Sequence, residues 1–249
     1  MIAVFRSELL KQRTTRTTLA LLVTMIALVV FAAVLHSFAL TTGDLATRDG
    51  QMKVFGWGEI GGLFAGLLGA ISITAEIRHG TVRPTFLVTP RRWRVIVAKL
   101  GVGALAGLAF GLIAEAVAIG VGSSALSARG ISLQLGSHDY AQLLVGGAVA
   151  AGLWAAIGVG VGALVRNQVA TTVGLFVWLL FVEALLLGQV PDAGRFLPGA
   201  AASALGGATI TGQVRPPLLA PMIALLIAVA YAAAAAVVGS VATVRRDVA

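Results

Sequence analysis

The sequence predicts an all-α integral membrane protein, a bundle of six transmembrane helices that forms one domain over residues 1–249. Three observations predict it. Apolar residues make up 58% of the chain and charged residues 11%, whereas soluble domains are about half apolar and about a quarter charged. Six long apolar runs each approach the roughly 20 residues that a helix needs to cross a hydrocarbon core. The basic residues sit in short clusters between those runs. The net charge of +8 therefore reads as loops meeting an anionic membrane face, not as a nucleic-acid interface.

The runs cover about 19–40, 57–75, 97–121, 141–165, 169–188 and 218–241. Only helices or closed barrels satisfy backbone groups in lipid. Barrel strands are short and alternate in polarity, so these continuous runs are helices. The first follows a basic stretch but is too long for the core of a signal peptide, and it is expected to remain as the first span. Thirteen of the eighteen Lys and Arg residues fall on the side that holds both termini, and five fall on the other. The basic side is thus expected to be cytoplasmic. Glycines recur every fourth residue at Gly58, Gly62 and Gly66, at Gly103, Gly107 and Gly111, and at Gly158 and Gly162. Small residues at that spacing let helix backbones approach one another.

Three segments outside the spans carry information. Residues 2–13 place Ile2, Phe5 and Leu9 on one face and Arg6, Glu8, Lys11 and Arg13 elsewhere, which suits a helix lying along the membrane surface. The turn after the second run, Glu76 to Arg94, is rich in arginine yet holds Val82, Phe86, Leu87, Val88 and Trp93. Pro84 can open a short helix there and Pro90 can end it. A half-apolar helix flanked by arginines suits docking to a protein partner; the other reading is a loop whose arginines only set topology. Between the fifth and sixth runs, Phe196–Ile210 is apolar but broken by Pro198, Gly199, Gly206 and Gly207. Short helices that dip back into the outer leaflet fit it, and such elements are tolerated only against protein or a cavity.

Chemistry-bearing motifs are few. There is no G-x-x-x-x-G-K-[ST] phosphate loop, no H-E-x-x-H and no G-x-S-x-G. The absence of cysteine excludes thiol catalysis. His36, His79 and His138 lie far apart in sequence. The chain is expected to be a non-enzyme that holds no metal or cofactor. Three carboxylates fall within or at the edge of spans: Glu59, Glu115 and Glu183. All three are biased to the outer leaflet. They either line a vestibule and meet a cationic ligand, or are held neutral or hydrogen-bonded between helices.

Ser7–Arg16, the loop Glu76-Ile77-Arg78-His79-Gly80-Thr81-Val82-Arg83 followed by Pro90-Arg91-Arg92 and Lys99, and the broken segment before span six together resemble the permease subunits of type-2 ABC transporters. In that family an amino-terminal elbow helix leads into span one. An E-x-x-x-G-T-x-R…P-x-R…K signature follows span two, and re-entrant outer helices precede span six. The resemblance covers the chain in order and implies a partner set. A second permease, identical or related, pairs with the first. Two cytoplasmic ABC ATPase subunits bind ATP and Mg and clamp the pair from below. Phe5, Glu8, Leu9 and Lys11 would then lie on the elbow helix. Glu76, Arg78, His79, Gly80, Thr81, Arg83, Phe86 and Leu87 would form the coupling element, and Glu59, Glu115 and Glu183 a candidate substrate pathway. The implied activity is ATP-driven export across a bacterial plasma membrane, with both termini cytoplasmic. With no large extracellular domain and no fused ATPase, small hydrophobic compounds, drugs, lipids or peptides fit as cargo better than large glycans.

Two other classes stay open on the residues alone. A membrane-embedded lipid-modifying enzyme would need Glu115, Glu183 and His138 to converge. An ion-coupled secondary carrier would use the membrane glutamates, but such carriers usually show inverted repeats, and no repeat between spans one to three and four to six is evident.

Overall fold

The computed structural model describes residues 1–81, 92–207 and 218–245. All regular structure among these residues is helical. Six stretches are long and apolar enough to cross a membrane: Arg16–Ala39, Arg48–Arg78, Trp93–Ala128, Ser137–Val165, Gln168–Gln189 and Pro221–Thr243. They are called spans one to six below and fall on the six predicted runs. Over its described residues the chain is all-α, with the six long apolar helices of a multi-pass membrane protein.

The span ends differ from the sequence reading. The helix of span three runs Arg92–Ala128, 37 residues, or about 55 Å at 1.5 Å per residue, far longer than a bilayer core. The apolar run starts at Val97 only because arginines precede it. Span two begins as a separate helix, Arg48–Phe55, which a tight 3₁₀ turn at Gly56–Glu59 joins to Ile60–Arg78. Thr47 opens that first helix: its hydroxyl accepts the Gly50 N–H at 3.1 Å, as a good N-cap does. Spans four and five each contain one wide π-type turn, at Gln142–Gly146 and Trp178–Val182.

Span four is the axis of the bundle. Of its most apolar window 67% is buried, against 17% for spans one and five, so those two lie at the periphery. The reason is composition: the stretch Gly147–Val165 is mostly Gly, Ala and Val, and other helices approach it backbone to backbone. A methyl group added at Gly69 would run into the Ala155 carbonyl, one at Gly158 into that of Gly66, and one at Gly160 into that of Ala235. Spans two and six thus rest directly on span four. Gly107 and Gly111 of span three meet Ala151 and the Gly147 carbonyl in the same way.

Span one turns one face to the bundle: Met25, Val29, Ala33 and Ser37, spaced every fourth residue, are buried, and Leu21, Leu22 and Ile26 pack beside them. Leu19, Val23, Phe31, Leu35 and Phe38 point outward, as suits a lipid-facing surface. Spans four and five are joined by a two-residue turn. Arg166 takes a left-handed conformation (φ 58°) that ends the first helix, and the Asn167 side chain accepts the Ala170 N–H at 3.0 Å to start the next.

At the end opposite the termini, the connections are ordered by polar contacts. Gln51 is fully buried; it donates to the carbonyls of Leu45 (3.0 Å) and Ser132 (2.9 Å) and accepts from the Gln134 N–H (2.8 Å). Arg48 pairs with Asp139 at 2.6 Å. Arg129 donates to the carbonyls of Ser37 and Leu40. The helix Pro198–Gly206 packs Ala201, Ala204 and Leu205 against Ala150 of span four and Ala224 and Ala228 of span six.

Candidate functional site

Two constellations draw together the residues singled out in the sequence, one at each end of the bundle. At the basic end, the amino-terminal helix Ile2–Thr14 stops at Thr15, whose extended backbone (φ −82°, ψ 125°) turns the chain into span one. The helix meets the bundle through Phe5 and Glu8. Phe5 lies in the notch left by Gly101 of span three. Glu8 is 4% exposed, whereas Ile2 is 73% and Leu9 36% exposed. The face turned to the bundle is therefore centred on a glutamate, while Ile2 and Leu9 stay exposed. The physical reason is the partner that Glu8 finds.

Lys99, near the start of span three, donates to Glu8 Oε2 at 2.7 Å and to Glu76 Oε1 at 2.8 Å. Lys11 donates to Glu8 Oε1 at 2.7 Å and to the same Glu76 Oε1 at 2.8 Å. Each acid touches both bases, so the four residues close an alternating ring of zero net charge. Lys99 also donates to the Ser72 carbonyl at 3.2 Å. Its side chain is 2% exposed, those of Glu8 and Glu76 6% and 13%, and that of Lys11 41%. Burial pulls the Lys11 ammonium down, but the carboxylates of Glu76 and Glu8 outweigh it and hold the group above the ordinary lysine value. Buried charges persist only when paired in this way.

The ring sits at the mouth of the signature turn. Span two ends at Arg78, and Gly80 follows in the left-handed region (φ 70°). The N–H of Gly80 donates to the Ile77 carbonyl at 3.2 Å and that of Thr81 to the Glu76 carbonyl at 3.0 Å. This is the Schellman arrangement, which demands glycine or its equivalent at the left-handed position. The Gly-Thr pair of the signature is thereby a helix stop located next to the ring. Arg78, His79, Gly80 and Thr81 are exposed. Arg83, Phe86 and Leu87, together with the short helix expected around them, lie outside the described residues.

At the far end, a cavity of about 320 Å³ lies among spans two, four and five and the helix Pro198–Gly206. Glu59 and Glu183 line it, with Trp57, Trp154 and Ser203. Ser203 donates to Glu59 Oε2 at 2.7 Å. Trp178 Nε1 donates to Glu183 Oε1 at 2.5 Å, and Glu183 also accepts the N–H groups of Gly199 and Ala200. The short helix is thus held by Glu183 at its first turn and by Glu59 near its last. Residues five apart diverge on an α-helix; the π turn at Trp178–Val182 brings Trp178 and Glu183 to the same side.

Glu115 does not line the cavity. It is fully buried in span three against Gly58 and Gly147, which lack side chains and so make room for it. Neither of its oxygens has a hydrogen-bond partner among the described residues. The three histidines do not converge: His36 stacks edge-on against Trp57, with centroids 5.8 Å apart, and His79 bonds the Ala75 carbonyl within its own turn. Among the described residues no group of three or more potential ligands could hold a metal. Sequence reading missed Ser203, whose partner Glu59 lies 144 residues away, Trp154, which rests on Gly62 and Gly66 of span two, and Trp178, whose role depends on a π turn. Comparison of the sequence with protein-family models and with curated proteins finds no match.

Proposed function

We propose that this chain is the permease subunit of an ATP-driven exporter of the type-2 ABC class, and that the ring Glu8–Lys11–Glu76–Lys99 is the joint through which a partner's work enters the spans. One observation carries the reading: the amino-terminal helix, the end of span two and the start of span three are tied by buried charge at the turn that bears the signature. Three of the four ring residues belong to the segments that the resemblance assigns to ATPase docking. Lys99 is the signature's own terminal lysine.

The mechanism follows from stiffness. A partner that pushes on the exposed turn at Arg78–Thr81 meets a helix stop fixed by two backbone bonds, so the push is not absorbed by unwinding. The ring passes it to span three and to the amino-terminal helix together. Span two rests on span four through glycine contacts, which lets the displacement reach the far end, where Glu59 at the top of span two holds the Pro198–Gly206 helix through Ser203. In this reading the basic end is cytoplasmic, the Pro198–Gly206 helix is a re-entrant element of the outer leaflet, and two ATPases and a second permease complete the transporter in a bacterial plasma membrane.

The test uses the native absence of cysteine. A His79→Cys chain carrying a thiol-reactive photocrosslinker, in membranes of the source cells, is expected to capture a soluble ATPase. Labelling of that cysteine by an impermeant reagent added outside intact cells, or purification from native membranes that never brings an ATPase, would overturn the reading.

A further inference from the structure

We propose that the cavity at the far end is a binding site for a lipophilic organic cation, held within a single copy of the chain, with Glu59 as the countercharge and Trp57 and Trp154 as its aromatic walls. Its volume, about 320 Å³, is at the lower end of the range for small-molecule sites, and its walls are mostly apolar with few polar groups, as such sites are. Both acidic groups on the wall are carboxylates, and no basic side chain is among the described residues that line it.

The two carboxylates differ in what they leave unused. Glu183 accepts from Trp178 and from two backbone N–H groups, so it is committed to holding the short helix. Glu59 accepts only from Ser203, through Oε2; its Oε1 is buried with no hydrogen-bond partner among the described residues. Behind Gly147, itself part of the cavity wall, stands the fully buried Glu115 with both oxygens unpartnered. Three carboxyl oxygens that lack donors thus gather at one side of an apolar cavity. Unsatisfied acceptors at this depth are costly and mark functional positions.

The ligand that answers all of these features is a cation with little need for hydrogen-bond geometry and a large apolar surface. Indole faces attract such cations by their quadrupole. Trp154 is held for that role: it is 4% exposed and rests on Gly62 and Gly66. The cavity edge on span five is formed by Leu180 and Ala184, both exposed, so a lipophilic molecule can enter from the side of the bundle. Both π turns also border this region: Leu179 and Leu180 of one line the cavity, and the other directly precedes Gly147. Such turns persist often at functional sites. That this ligand is also the exported substrate rests on the permease reading above; binding itself does not.

The experiment therefore uses the chain alone, purified in detergent, with radiolabelled tetraphenylphosphonium as the probe. Saturable binding is expected, displaced by unlabelled tetraphenylphosphonium and not by the neutral triphenylphosphine oxide. Glu59→Gln keeps an acceptor for Ser203 and is expected to weaken binding at least tenfold. Ala184→Trp, at an exposed position where folding tolerates bulk, is expected to weaken it comparably by closing the edge. Absence of saturable binding, equal displacement by the neutral compound, or wild-type affinity in both monodisperse variants would overturn the proposal. Capture of the ATPase reports on the permease reading separately, so either can fail while the other stands.

Discussion

Replacing Lys99 by Met removes one charge and keeps most of the side chain's length and its apolar stem. The Lys99 ammonium makes three contacts, at 2.7, 2.8 and 3.2 Å, in a place where its side chain is 2% exposed. Water cannot take its place. Removing one partner of a buried ion pair costs about 3–5 kcal/mol, because the other charge is stranded. Lys11 remains bonded to both carboxylates and is 41% exposed, so it offsets part of the loss and the lower figure applies. About 3 kcal/mol corresponds to roughly a hundredfold larger population with the amino-terminal helix undocked. The assay places a single cysteine at Phe5, against Gly101, and measures its labelling rate in detergent. Labelling of Phe5→Cys/Lys99→Met is expected to run about a hundred times faster than that of Phe5→Cys alone. Adding Glu8→Gln restores the balance of charge and should recover part of the protection. Equal rates in the presence and absence of Lys99 would refute the claim that the ring holds the helix.

Other outcomes are equally specific. Gly158→Leu forces a side chain into the Gly66 backbone and should abolish monodisperse protein in size-exclusion chromatography, whereas Gly174→Leu, with open space around it, should not. Gln51→Leu strands two carbonyls and one N–H that the amide now satisfies, and is expected to cost about 2–3 kcal/mol, read as a lowered melting temperature. Because the native Lys11 pKa is raised above its ordinary value, its stabilisation is fully present below the unfolded pKa and is lost as pH rises through the native one. Protection of the Phe5→Cys thiol, corrected for thiolate fraction, should accordingly be flat from about pH 7 to 10 and fall only above that.

The spans were legible because each is a long uninterrupted apolar run, and lipid exposure leaves such runs with few alternatives. Glu8 and Lys11 stood out on the amino-terminal helix and Glu76 and Lys99 in the signature after span two, as two separate segments. Their union was not visible: Glu8 and Lys99 are 91 positions apart, and a periodicity argument counts a glutamate as polar without knowing that a lysine from another helix awaits it. For that reason the contact that docks the amino-terminal helix on span three was not legible, although its polar and apolar positions were. The same blindness hid the Glu59–Ser203 contact, which joins residues 144 apart. Glu115 was grouped with its two companions by depth alone; the structure puts it behind the wall that they line, since Gly58 and Gly147 leave a niche there.

The bareness of span four has a mechanical consequence. Where long side chains interlock, one helix can slide past another only by changing rotamers, in discrete jumps. Here the touching surfaces are glycine Cα hydrogens against carbonyl oxygens, at Gly69, Gly158 and Gly160, contacts that are individually weak and recur along the helix. Such a surface has no side chains to interlock and no room for added bulk. In the permease reading, a stroke delivered at the ring would pass along span two while it stays in close backbone contact with span four.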